Sequence, residues 1–119
     1  MVSIIGFGGI KLPLVEKKTA HETLNRALDL GINFFDTASS YGDSEEKIGW
    51  AIGEQRDEFY ISTKSAALTV KDMEMDIQRS LKNLQTDYID VYMCHNLRYP
   101  NEYDKVMGPG GQYNEKCPL

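Results

Sequence analysis

The chain has 119 residues, of which 41% are hydrophobic and 26% are charged, as expected for one soluble globular domain. Its net charge of −5, with no dense cluster of lysine and arginine, argues against a nucleic-acid partner. No apolar stretch approaches the roughly 20 residues that cross a bilayer, and Met1 to Gly9 lack the pattern of a secretory signal, so we expect no membrane partner and a cytoplasmic location.

Apolar runs of strand length alternate with helix-like segments along residues 1–95. The predicted strands are Val2–Gly8, Ile32–Asp36, Phe59–Thr63 and Tyr88–Cys94. The predicted helices run from Thr19 to Leu30, from Asp43 or Ser44 to Ile52, and from a Thr69 cap to Leu84. Such alternation predicts a parallel sheet with right-handed crossovers, but it leaves open whether the sheet is open or closed into a barrel.

Residues 96–119 show no sustained periodicity and contain three prolines and three glycines, which predicts a loop and an irregular tail. The whole chain, residues 1–119, is therefore predicted to be one domain, with four strands and three helices in residues 1–95. Cys94 and Cys117 fit neither a metal site nor a disulfide framework, and we expect two free thiols. Because neighbouring strand residues point to opposite faces, the Cys94 thiol is expected to face away from His95.

Four polar residues, Asp36, Tyr41, Lys64 and His95, fall at or just past the ends of predicted strands. The carboxyl ends of parallel barrel strands meet at one rim, so these side chains are expected to converge there. The charged positions that follow Tyr41, Glu45 to Lys47, are expected to form a solvated helix face instead.

The four residue types suit the reduction of a carbonyl group, which needs an acid to protonate the developing alkoxide. The Tyr41 phenol becomes a more effective acid if the Lys64 ammonium favours its charged form. Asp36 is placed to hold Lys64 by a charge-assisted hydrogen bond. His95 is placed to orient the substrate oxygen.

Three segments carry a resemblance to a known family: GINFFDTASSYGDSEEKIGWAI, FYISTKS and SLKNLQTDYIDVYMCHN. They are similar to motifs of the aldo-keto reductases. The resemblance implies an α/β fold, a partial (β/α)8 TIM barrel with about four βα units in this chain. It implies a catalytic tetrad of Asp36, Tyr41, Lys64 and His95, and an NAD(P)H-dependent reduction of aldehydes or ketones to alcohols.

The resemblance also implies a cofactor, NADPH or NADH, with no metal, and a small carbonyl substrate. The residues expected near the nicotinamide are Gly9 and Ile10, after the first strand, and Asp36. Family members continue through four more strand and helix units, whose later loops bind the phosphates of the cofactor. We therefore expect this chain to be a truncated member whose activity is impaired.

Two other interpretations stay open at this stage. A half-barrel exposes sheet edges, which favours an inactive fragment that acts only through self-association or through pairing with a complementary half. A metal-dependent barrel hydrolase built on Asp36 and His95 is disfavoured because the chain has no close ligand pair such as H-x-H.

Overall fold

The computed structural model describes residues 1–111. Its centre is a four-stranded parallel sheet in which the strands follow chain order, β1-β2-β3-β4. The strands are β1 (Phe7–Gly8), β2 (Phe34–Asp36), β3 (Tyr60–Ser65) and β4 (Val91–Cys94). In the register of the ladder, Asp36 lies opposite Ser62 and Lys64 lies opposite Met93, so the carboxyl ends of β2, β3 and β4 form one rim.

Three helices connect the strands, and a fourth follows β4. They are α1 (Lys17–Asp29), α2 (Ser44–Ile52), α3 (Val70–Leu84) and α4 (Pro100–Val106), with 3₁₀ segments at Gly9–Leu14 and Gly53–Glu58. None of the helices in residues 1–111 is long and apolar enough to cross a membrane.

The main core lies between the sheet and the helices α1 and α2. Phe35 and Ile61, from adjacent strands, and Leu24, from α1, are all fully buried. The Phe35 ring meets the Phe59 ring edge-on, with centroids 5.3 Å apart. Each fully buried side chain of this size contributes roughly 1.5–3 kcal/mol to the free energy of unfolding, so this core fixes the position of β2 and β3.

The structure corrects the prediction for residues 96–119, because α4 occupies part of the expected loop. Its first residue is Pro100, which fits the first helical turn, where a backbone N–H has no helical partner. The Glu102 carboxylate accepts hydrogen bonds from the backbone N–H groups of Tyr99 and Arg98, which anchors the start of the helix. Residues 112–119 of the predicted tail, with Cys117, lie outside the described residues.

The first strand is also shorter than predicted. Only Phe7 and Gly8 pair with β2, opposite Phe35 and Asp36. Ser3 instead donates its backbone N–H to the Asn33 side chain, and Ile4 and Ile5 are exposed. The apolar run Val2–Gly8 therefore predicted a longer strand than the one that forms.

Candidate active site

The side chains predicted to converge do so at the rim. Asp36 ends β2, Lys64 is the penultimate residue of β3, and His95 directly follows β4. Tyr41 lies in the loop between β2 and α2. That loop turns through Gly42, whose φ of +50° is a left-handed conformation that favours glycine.

Lys64 is held by three hydrogen bonds. Its Nζ donates to Asp36 Oδ1 at 2.7 Å, to Asp36 Oδ2 at 2.8 Å and to the Thr37 carbonyl oxygen at 2.7 Å. An ammonium group has three N–H donors, so these contacts engage all of them. Lys64 therefore acts on its other neighbours through its charge.

The Tyr41 ring is close to both Lys64 and His95. The Lys64 Nζ is 5.5 Å from the centroid of the Tyr41 ring, and the centroid of the His95 ring is 5.6 Å from it, at an interplanar angle of 83°. Phenol, ammonium and imidazole are therefore neighbours, as the sequence predicted.

His95 lies in a half-buried, positively charged environment. Burial, the nearby Lys64 charge and Arg98 lower the pKa of the imidazole, although the Asp36 carboxylate acts in the opposite direction. Because the lowered pKa falls below the usual value of about 6.5, the ring is neutral near pH 7. A neutral imidazole carries one N–H donor and one acceptor nitrogen.

The two residues predicted to lie near a nicotinamide differ in their surroundings. Gly9 is buried, and a Cβ there would lie 2.7 Å from Ser44 Oγ and 3.0 Å from the Asp36 carbonyl oxygen. Its own carbonyl oxygen accepts the Ser44 hydroxyl at 3.0 Å. Ile10 is 56% exposed. Gly9 thus packs against the backbone of Asp36, while Ile10 presents an apolar side chain to solvent.

Sequence reasoning missed several residues that support this rim. The Thr37 carbonyl completes the set of Lys64 acceptors, and the Ser40 hydroxyl lies 3.2 Å from His95 Nδ1. Glu45, which was expected in a solvated face, is buried and accepts hydrogen bonds from Thr63 at 2.7 Å and Asn83 at 3.2 Å. The polar residues of the segment that follows β2 show no sequence pattern that would have predicted these contacts.

Cys94 lies on the helical side of the sheet and packs with Met73 and Val106, whereas His95 contacts Tyr41 at the rim. Burial raises the pKa of the Cys94 thiol. A thiol in such surroundings is a weak nucleophile at neutral pH, which agrees with the expected structural role. Within residues 1–111, no cluster of histidine, cysteine, aspartate and glutamate is suited to hold a metal ion.

The chain folds into parallel βα units, and the carboxyl rim of the sheet carries a phenol, an ammonium, a carboxylate and an imidazole. This arrangement is typical of part of a barrel-type α/β protein. The sequence profile of the Aldo/keto reductase family matches residues 4–109. The chain belongs to this family. The predicted family and the predicted fold, a partial (β/α)8 barrel, are confirmed.

Relatives of known name agree with this assignment. The chain is 39% identical over 102 residues to D-galacturonate reductase of Fragaria ananassa, a match that covers 77% of this chain and 32% of that protein. It is 41% identical over 103 residues to the aldo-keto reductase YhdN of Bacillus subtilis, with 74% and 31% covered. The chain thus spans about a third of the length of the curated relatives it matches.

Solved structures are similar as well. An aldo-keto reductase from Klebsiella pneumoniae in complex with NADP and acetate superposes with a TM-score of 0.68 and 32% identity, over 76% of this chain and 34% of that one. An aldo-keto reductase from a Medee basin deep-sea metagenome library gives a TM-score of 0.71 and 32% identity, with 86% and 38% covered.

Proposed function

We propose that this chain supplies the residues that protonate the substrate in an NAD(P)H-dependent reduction of aldehydes or ketones to alcohols. The observation that carries the proposal is the cluster at the rim, in which the Tyr41 ring neighbours both the Lys64 ammonium and the His95 imidazole. Asp36 holds the ammonium in place. The substrate is a small molecule with a carbonyl group.

In this proposal Tyr41 donates its phenolic proton to the carbonyl oxygen of the substrate. The positive charge of Lys64 stabilises the phenolate that remains, and the Asp36 carboxylate and the Thr37 carbonyl fix the position of that charge. His95 is neutral, and its N–H donates to the same substrate oxygen and sets its direction. Tyr41 and His95 therefore act on the substrate oxygen, while Lys64 and Asp36 act through Tyr41.

The residues of the rim fit a nicotinamide cofactor, because the Tyr41 and His95 donors can serve the proton transfer that accompanies a hydride transfer. When bound, the cofactor supplies the hydride that reaches the carbonyl carbon. Gly9 and Ile10 would hold the nicotinamide end together with Asp36, and the missing Cβ of Gly9 keeps the backbone close to Asp36. The Klebsiella relative was crystallised with NADP, which supports NADPH in preference to NADH.

We also propose that the 119 residues by themselves reduce carbonyls slowly, because they correspond to about a third of the length of the relatives. Contacts to the phosphates of the cofactor are expected in loops of later barrel units. The cytoplasmic location stays a prediction.

The test is NADPH oxidation, followed by absorbance, with 4-nitrobenzaldehyde as substrate and a high concentration of the 119-residue chain. Tyr41→Phe should lower kcat/KM by roughly 100-fold or more, because it removes the general acid. Tyr103→Phe is the matched control, since Tyr103 is exposed on α4. Equal activity in Tyr41→Phe and the unaltered chain, or no Tyr41-dependent turnover at all, would refute the reductase. A kcat above about 1 s⁻¹ would refute slow turnover.

A second candidate is an inactive half-barrel that acts by self-association or by pairing with a complementary half. It is supported by the outer position of β4 in the described sheet, where Val91 is 39% and Met93 is 38% exposed. Sedimentation velocity over a range of concentrations tests it. Met93→Lys should shift the chain towards monomer, whereas Met75→Lys on the exposed side of α3 should not. A monomer at every concentration rejects the self-association.

A further inference from the structure

The Ser40 hydroxyl faces the imidazole of His95 across the rim, with Ser40 Oγ 3.2 Å from Nδ1. We propose that Ser40 is a positioning residue that keeps the proton of the neutral His95 ring on Nε2, the nitrogen it does not contact. The inference deepens the proposed function, on which its catalytic meaning rests. The contact itself is a distance within this chain, whereas the direction of its hydrogen bond is inferred from the proposed role of His95.

The chemistry favours one direction for this hydrogen bond. A neutral imidazole has one protonated nitrogen, and the hydrogen bond at the other nitrogen decides which one it is. If the Ser40 hydroxyl donates to Nδ1, then Nε2 carries the proton and can donate to a substrate oxygen. If Nδ1–H donates to Ser40 instead, Nε2 is an acceptor and would repel that oxygen. Only the first arrangement gives His95 the role of a donor.

Both partners are anchored to the end of β3, on its two sides. The backbone N–H and the hydroxyl of Ser39 donate to the Lys64 carbonyl oxygen, each at 3.0 Å, which fixes the loop that carries Ser40. The backbone N–H of His95 donates to the Ser65 carbonyl oxygen at 2.7 Å. Consecutive carbonyl groups of one strand therefore hold the backbone of His95 and the residue that precedes Ser40.

The charges around His95 keep it in the neutral form that this contact requires. Burial, Lys64 and Arg98 lower the pKa of the ring, and together they outweigh the Asp36 carboxylate, which raises it. The edge-on Tyr41 ring covers another side of the imidazole. The Ser40 hydroxyl contacts a ring nitrogen directly and therefore bears on the tautomer.

Nuclear magnetic resonance of the 119-residue chain with ¹⁵N-labelled histidine tests the inference at about pH 7.5. Long-range ¹H–¹⁵N correlations report the protonation of each ring nitrogen. The chain has two histidines, and His21, which lies on α1 beside Trp50, serves as the internal control. We compare the unaltered chain with Ser40→Ala, which removes the hydroxyl, and Ser40→Thr, which retains it. Ser40 is exposed, so both variants are expected to fold, and circular dichroism checks this.

We expect a protonated Nε2 and an unprotonated Nδ1 for His95 in the unaltered chain. Ser40→Ala should lower the ratio of the Nε2–H to the Nδ1–H tautomer by roughly 2- to 10-fold, the effect of one ordinary hydrogen bond. Ser40→Thr should restore the ratio, and the His21 signals should not change. A proton on Nδ1 in the unaltered chain, or an identical His95 pattern in Ser40→Ala, would overturn the inference.

The outcome is independent of the reductase assay. If turnover does not depend on Tyr41 but the His95 tautomer changes in Ser40→Ala, the proposed function is refuted and the effect of Ser40 on the tautomer is retained. If the chain is active but the His95 tautomer is the same in Ser40→Ala, the proposed function is retained and the inference about Ser40 is refuted.

Discussion

Replacing Asp36 by asparagine removes the negative charge that holds Lys64. In the native chain the Lys64 side chain is 12% exposed and the Asp36 side chain is 38% exposed. After Asp36→Asn, the ammonium keeps the Thr37 carbonyl oxygen, at 2.7 Å, and one neutral amide oxygen as acceptors. A largely buried cation is then left without a compensating charge.

The expected loss lies between two limits. Breaking a fully buried ion pair by removing one partner costs about 3–5 kcal/mol, whereas an exposed pair contributes about 0–1 kcal/mol. Because solvent reaches Asp36 but hardly reaches Lys64, we expect Asp36→Asn to lower the free energy of unfolding by about 2 kcal/mol. With a urea m-value of roughly 2 kcal/mol/M, the unfolding midpoint falls by about 1 M.

The matched control is Asp43→Asn, which removes the partner of Lys47. The Lys47 side chain is 8% exposed, but its Nζ keeps the carbonyl oxygens of Leu12 at 3.1 Å and Val15 at 2.8 Å, and Asp43 is 47% exposed. We therefore expect a loss below about 1 kcal/mol.

The double variant Asp36→Asn/Lys64→Met completes the test, because it also removes the unpaired cation. It should be more stable than Asp36→Asn by about 1 kcal/mol. Urea unfolding is followed by far-UV circular dichroism and by the fluorescence of Trp50, the only tryptophan. Equal losses for Asp36→Asn and Asp43→Asn, or no recovery in the double variant, would contradict the reasoning.

Two further predictions concern the pH dependence and the helix packing. Because the folded-state pKa of His95 is lowered, the folded chain binds fewer protons than the unfolded chain, and stability falls as the pH drops below about 6.5. Urea unfolding at pH 7.5 and 5.5 should show a smaller fall for His95→Gln than for the unaltered chain, and an equal fall would contradict the assignment. Gly49→Ala should cost about 2–3 kcal/mol, because the new Cβ would lie 2.5 Å from the Asn83 carbonyl oxygen. Gly53→Ala, whose Cβ has no neighbour closer than 3.7 Å, should change thermal stability little, and similar melting temperatures for both variants would refute this packing argument.

Some errors of prediction have a local cause. The proline and glycine residues after His95 indicated a loop, yet Pro100 and Glu102 occupy positions typical of the start of a helix, and α4 forms there. These helix-start residues were present in the sequence, but the prediction gave more weight to the proline and glycine content of the segment. At the other end, the apolar run Val2–Gly8 resembled a strand, but the length of a strand depends on the partner that pairs with it.

Other features depend on segments that are distant in the chain. Glu45 follows the acidic pattern of a helix start, but it is buried because Thr63 and Asn83 approach it from β3 and α3. The clustering of Asp36 and Lys64, by contrast, was predictable, since parallel strands bring their carboxyl ends to one rim.

The sequence by itself determined the order of strands and helices, the parallel sheet and the four side chains at its rim, because periodicity and chain order act over short distances. The tertiary structure alone decided that the Thr37 carbonyl completes the contacts of Lys64 and that Ser40 faces His95. These contacts join backbone and side-chain atoms from separate βα units, and their distances exist only after the hydrophobic core has fixed how those units pack.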